Sequence, residues 1–197
     1  LSAIDLSALP ERTSSFSEVR FGARVTSPLG AGSQKIDRPG TRYRYTRETG
    51  RMKIEPHGRK WAALIQAATN DGARMRAKLD GFKAGAPGSP VVAANTASGR
   101  HIPLSGLTPG YAIRAWQPVT ITHGARSYFD FTRSSIIAGT DGTATMTLQQ
   151  LIRVPLAAGD KVELAAPFIE GDITEAFEFE QPLEGYTSFT VTIEEVA

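Results

Sequence analysis

Apolar residues recur at every second position through much of this chain, and at helical spacing in one stretch alone. Between residues 41 and 47, Tyr43 and Tyr45 alternate with Arg42 and Arg44, giving one greasy face and one basic face. Phe16, Val19, Phe21, Ala23 and Val25 mark an earlier strand, with Glu18, Arg20 and Arg24 facing out. Met52 and Ile54 point inward on a strand that Glu48-Thr49-Gly50 turns back from Arg47, and a short strand is expected near Gln34 to Asp37. Met75, Ala77 and Leu79 alternate with Arg74, Arg76 and Lys78 further on. The helical exception is Trp61, Leu64, Ile65 and Ala68, at i, i+3, i+4 and i+7. Pro56 stands where a first-turn proline is tolerated and Asn70-Asp71-Gly72 supplies a stop, so a helix is predicted over 57–70.

From Tyr111 the texture changes to short strands: YAIRA, PVTIT, ARSYFDFT, SSIIA, TATMTLQ and DKVELA. Asp141-Gly142 and Ala158-Gly159-Asp160 read as turns between them. That count in some sixty residues predicts a small barrel or sandwich. An acidic stretch, EGDITEAFEFEQPLEG, precedes a last strand with Tyr186, Phe189, Val191 and Ile193. Its natural partners lie far back in the chain, so it is expected to return to the first sheet and make the barrel an insertion. The expected fold is mainly β (α+β), with a loose N-terminal arm over 1–15. An α+β unit in which the helix covers one sheet face follows, over 16–110 and 175–197, with an inserted barrel at 111–174. Residues 80–110, rich in Gly and Pro, read as a long irregular connection.

Composition narrows function mostly by exclusion. With 41% hydrophobic and 21% charged residues the chain has ordinary globular character. It holds no apolar run of membrane-spanning length, and its first residues lack the basic start and apolar core of a secretory signal. The absence of cysteine removes disulfides and thiolate metal sites, and His57, His101 and His123 are too scattered for a zinc centre. Gly30-Ala31-Gly32-Ser33 is glycine-rich, but no Lys-Ser/Thr pair and no helix follow it as a phosphate loop needs. Asp130 and Asp141 have no local spacing that makes a carboxylate pair, so neither catalysis nor a cofactor is expected.

Charge is unevenly distributed along the chain. Lys and Arg number 17 in residues 1–100 and 5 in the remainder, while Asp and Glu number 8 and 12. Opposite poles favour head-to-tail contact between copies. The expected contact places Arg42, Arg44, Arg74, Arg76 and Lys78 of one subunit against Glu175, Glu178, Glu180 and Glu184 of a neighbour or partner. Loops 26–40 and 80–110 would supply apolar burial. Two other classes compete. Tyr128, Phe129 and Phe131 on a small barrel suit a single-stranded nucleic-acid binder, and Trp116 suits a carbohydrate-binding module.

Several stretches together resemble the distal tail and related minor tail proteins of long-tailed bacteriophages. They are FGARVTSPLGAGSQ (Phe21 to Gln34), the early strand pair, the helix WAALIQAA, a Pro/Gly-rich crossover, DGTATMTLQQLIRVPLAAGDKVEL, and the terminal FTVTIEE. The resemblance implies a sixfold ring that joins the tail tube to a hub, baseplate or fibres. It implies that the first unit is a tail-tube-like β-sandwich with one flanking helix and that the inserted domain is an oligonucleotide/oligosaccharide-binding-like (OB-like) barrel. The implied location is the virion, assembled in the host cytoplasm, with no membrane partner and with DNA passing through unbound. Arginine-rich faces would then be buried between subunits or point outward, since phosphate-binding cations would retard DNA in the channel.

Overall fold

The computed structural model describes residues 3–26, 30 and 32–196. Positions 1, 2, 27–29, 31 and 197, which fall in the expected arm, the 26–40 loop with its glycine run, and the chain end, lie outside the described residues. In chain order the first strands are β1 (Ile4–Asp5), β2 (Thr13–Val19), β3 (Ala23–Thr26), β4 (Ser33–Ile36), β5 (Arg42–Glu48) and β6 (Met52–Lys53). A π-helical turn, Ile54–Gly58, leads into α1 (Arg59–Asp71), and β7 (Ala73–Arg76) follows. Next come β8 (Gly88–Val92), β9 (His101–Leu107), β10 (Ala112–Ile113), β11 (Pro118–His123), β12 (Arg126–Phe131) and β13 (Ile136–Ile137). The last are β14 (Ala144–Thr147), β15 (Lys161–Glu163), β16 (Phe168–Ile173), β17 (Tyr186–Thr187) and β18 (Thr190–Glu195). The protein is thus mainly β, with one α-helix among the described residues.

Two compact units divide the chain, and their limits differ from those expected. The first takes the described residues up to Ser17, Tyr43–Ala77 and Phe168–Val196; the second takes Glu18–Arg42 and Lys78–Pro167. Residues 80–110 therefore contribute strands β8 and β9 to the second unit instead of forming an irregular connection.

The first unit is built on a sheet of order β1-β7-β16-β18-β5-β2. The terminal strand β18 sits between β16 and β5, as its apolar alternation required. Directly paired residues share a face, so Tyr45/Ile193 and Met75/Ile169 point inward, while Arg44/Glu194 and Arg74/Glu170 point outward. The helix lies against β1 and β16 and buries Ala62, Ile65 and Ala68. Leu64 is exposed and Trp61 half-buried, so the inward stripe is rotated from the expected one. The reason is that small Ala62 and Ala68 let the helix backbone approach the sheet, while the larger side chains stay at the rim. Met52 also differs from expectation: β6 pairs with β17, not with β5. Residues 3–15 of the expected loose arm are ordered, too. β1 runs parallel to β7, β2 forms the opposite edge, and Leu6 and Leu9 are buried.

The second unit is an antiparallel sheet of order β12-β11-β15-β8-β9-β14, with β10 and β13 paired beside it. It curls into a half-barrel around Val92, Ile102, Leu104, Val119, Ile121, Met146, Leu148 and Val162. At one end its outer strands meet: the Arg133 N–H donates to Thr147 O (2.7 Å) and the Gln149 N–H to Phe131 O (2.8 Å). A bulge between Gly88 and Val91 aids the curl. There Gly88 and Gly106 both have positive φ, and a Cβ on either would lie 2.6 Å from a backbone carbonyl oxygen of the facing strand.

Candidate interface surface

Of the nine residues expected at a subunit contact, several find partners within their own chain. Arg44 Nε lies 2.5 Å from Glu194 Oε2, across the β5–β18 ladder. The Arg74 guanidinium lies 3.5 Å above the Phe168 ring and faces Glu170 in register. Glu184 pairs with Arg51 at 2.5 Å, and Glu175 accepts from the Thr192 hydroxyl at 3.1 Å. Lys78, Glu178 and Glu180 are exposed, Arg76 is exposed at the end of β7, and Arg42 is half-buried at the start of β5. The outer face of the first sheet therefore carries a band of acids on β16 and β18 between the basic residues of β7 and β5. Exposed pairs of this kind contribute about 0.2–1 kcal/mol each, so they tune a surface more than they stabilise the fold.

The units redistribute charge that the linear sequence had separated. Lys and Arg number 9 against 13 Asp and Glu in the first unit, and 13 against 7 in the second. The second unit is the basic one because the segment Glu18–Arg42 and residues from Lys78 onward join it.

Within that unit, β3 and β4 form a hairpin with seven of its eight strand residues exposed and Ile36 half-buried. Phe21 and Val25 stand 60% and 53% exposed, among Arg20, Arg24 and Lys35. Its base is tied down: the Phe21 N–H donates to Thr41 Oγ1 (3.2 Å), Asp37 pairs with Arg100 (3.3 Å), and Gln150 bonds Glu18. The acidic stretch 174–185 is irregular and exposed on the first unit, with Leu183 fully in solvent.

Sequence reasoning missed one buried cation. Arg47 is fully buried on the tyrosine face of β5. Its Nη1 donates to Ser7 O and Leu9 O (both 3.2 Å), and its Nη2 to Arg76 O (2.8 Å) and the Tyr45 hydroxyl (3.2 Å). Glu11 stands 3.3 Å away as counter-ion. The parity Tyr43, Tyr45, Arg47 was the available signal, since strand alternation places all three on one face. This fork fastens the first residues of the chain to the sheet.

Asp5 reinforces the same segment, accepting from the Ser7 N–H at 2.8 Å. Burial works to raise its pKa, but the Ser7 hydroxyl and N–H and the charge of Arg74 together hold it below the ordinary 3.8. A carboxyl depressed in the folded state adds stability above its unfolded pKa and loses it as pH falls through the folded value. Melting curves should therefore show wild type losing more stability than Asp5→Asn between neutral pH and pH values below about 4.

Chemistry-bearing groups elsewhere are sparse. His123 Nδ1 lies 2.8 Å from Asp160 Oδ2, which also accepts from the Ala157 N–H (2.7 Å) and so orders the turn before β15. His101 meets the Thr147 hydroxyl, and Asp130 accepts the Gln150 N–H from inside the fold. Among the described residues no three His, Cys, Asp or Glu side chains gather as a metal site would need. Tyr128, Phe129, Leu148, Ile152 and Leu156 line a cavity of about 20 Å³ at one end of the half-barrel. That admits a water, where small-molecule sites measure about 300–1,000 Å³. Phe129 and Phe131 are buried and Tyr128 is half-buried, while Trp116 is exposed. Among the described residues no helix is long and apolar enough to cross a membrane. A scan against protein-family models finds no match for this chain, and a search of curated proteins finds none.

Proposed function

We propose that this chain is a structural subunit of a long-tailed bacteriophage tail, forming a ring at the distal end that joins the tube to the hub, baseplate or fibres. In this reading the first unit is a tail-tube-like sandwich and the second a small OB-like barrel. The observation that carries it is the β3–β4 hairpin. A two-stranded hairpin exposed on both faces is at best marginally stable in water, and this one also displays Phe21 and Val25. A surface of that kind is completed by a neighbour. The basic hairpin and the acidic stretch 174–185 with Leu183 are complementary in charge and both carry apolar side chains. A contact between unlike patches is head-to-tail, and with the right rotation it closes into a ring. The outer edge of β2 offers a second point of attachment by strand addition.

The absence of native cysteine makes the contact directly testable. Val25→Cys in one preparation and Leu183→Cys in another, mixed and oxidised at high concentration, should give a mixed disulfide dimer far above the level of either homodimer. Random or absent cross-linking would reject the hairpin contact. The basic second unit keeps a nucleic-acid reading in view, but its buried phenylalanines offer no stacking row. Filter binding to single-stranded DNA across salt discriminates the two. The tail reading expects no tight binding that collapses with added salt, and such binding would defeat it.

A further inference from the structure

Trp116 combines three features that seldom coincide. Its φ is +62°, a left-handed conformation that costs an L-residue about 1–2 kcal/mol. Its indole stacks on Phe131 with centroids 4.4 Å apart and planes 7° from parallel. Yet the side chain remains 51% exposed, so its other face is open to solvent.

A dense hydrogen-bond frame holds this turn. The Trp116 N–H donates to Thr132 O (2.8 Å), and the Ala115 N–H to the Ser135 hydroxyl (2.9 Å). Gln117 is buried; its N–H reaches Thr132 Oγ1 (2.9 Å), its side-chain oxygen accepts the Arg114 N–H (3.0 Å), and its amide nitrogen donates to the Tyr111 hydroxyl (3.0 Å). Covering Phe131 needs only an apolar side chain. A flat ring fixed on a rigid, strained turn with one face free is what a stacking ligand needs, because little freedom is lost when it binds.

We propose that Trp116 is a stacking platform for a sugar ring bearing a carboxylate. The C–H face of a pyranose lies flat on an indole. Its acid group would meet Arg114, whose guanidinium lies 5.8 Å from the Phe82 ring centroid, and Arg133, which directly follows the Thr132 that anchors the turn; both are exposed. Neither YAIRAWQP nor FTRSSIIA contains an acidic residue to oppose it. A single strand of nucleic acid would instead need successive platforms, and Phe129 and Phe131 are closed to it. This site stands apart from the hairpin contact and does not depend on the ring reading.

The chain has two tryptophans, so Trp61→Phe leaves Trp116 as its single indole reporter. Titration of that variant with an oligogalacturonate should give a saturable change in emission. Adding Trp116→Tyr should retain part of the binding, measured by calorimetry, and Trp116→Ala should weaken it about tenfold or more. Arg133→Gln, at an exposed position, should weaken binding of the acidic sugar while leaving the melting temperature unchanged. No saturable response, a neutral maltooligosaccharide binding equally well, or an oligothymidylate binding more tightly would each overturn the proposal.

Discussion

Arg47→Ala is expected to cost about 3–5 kcal/mol of unfolding free energy, because it removes a fully buried guanidinium together with the hydrogen bonds it donates. Three backbone carbonyls, those of Ser7, Leu9 and Arg76, would lose a donor, and the one at Leu9 lies fully inside the fold. Each such orphaned group costs about 1–3 kcal/mol. Glu11 would lose its counter-ion as well. The damage should be local before it is global: amide exchange should accelerate first at Ile4 and Leu6, whose N–H groups bond Gly72 O and Arg74 O in the edge that Arg47 fastens. Arg47→Lys keeps the charge but loses the planar fork that reaches several carbonyls at once, so it should recover only part of the loss. Equilibrium denaturation of the three proteins measures this. An alanine variant within about 1 kcal/mol of wild type would mean the fork is ornamental.

Gly171→Ala should be nearly as damaging for a purely steric reason. Gly171 lies in β16, opposite Ala73 on one side and Glu195 on the other. A Cβ there would overlap the backbone carbonyl of Glu194, and no rotamer change can move a main-chain atom aside. Strands β16 and β18 would have to part in the middle of the sheet, at a cost of about 3 kcal/mol or more. Gly50 provides the control: a Cβ at that position meets nothing and φ is not positive, so Gly50→Ala should shift stability by no more than about 0.5 kcal/mol. Comparable melting temperatures for the two variants would refute the steric account.

The parts of this fold that could be read in advance are those where side-chain period and burial agree locally. Tyr43 and Tyr45 against Arg42 and Arg44, the return of Val191 and Ile193 to the first sheet, and the helix all belong to that class. What escaped was structure imposed from a distance. The opening stretch looks like a Ser- and Ala-rich tail, and its segment around Ser7 and Leu9 is held because Arg47, about forty positions away in the sequence, supplies donors for their carbonyls. β8 and β9 were hidden by Gly88, Pro90, Pro103 and Gly106, residues that argue against a strand until a bulge and a close backbone approach give them a use. β16 was obscured by Glu170 and Asp172, of which Glu170 turns out to face Arg74 of β7 across the ladder. The linear charge split misled because the units are discontinuous. Of the candidate contact residues, the exposure of Lys78, Glu178 and Glu180 followed from the pattern, whereas the in-chain pairings of Arg44 and Glu184 required knowing which strands meet.

The same discontinuity sets an order of assembly during synthesis. Strands β5 and β7 leave the ribosome long before β16 and β18, which stand between them in the finished sheet. Until the final stretch is translated they have no central partners, while Lys78–Pro167 already contains every strand of the second sheet. The nascent chain must therefore hold two half-built flanks while the intervening segment completes its own sheet, and close them last, a step dominated by long sequence separations and correspondingly slow.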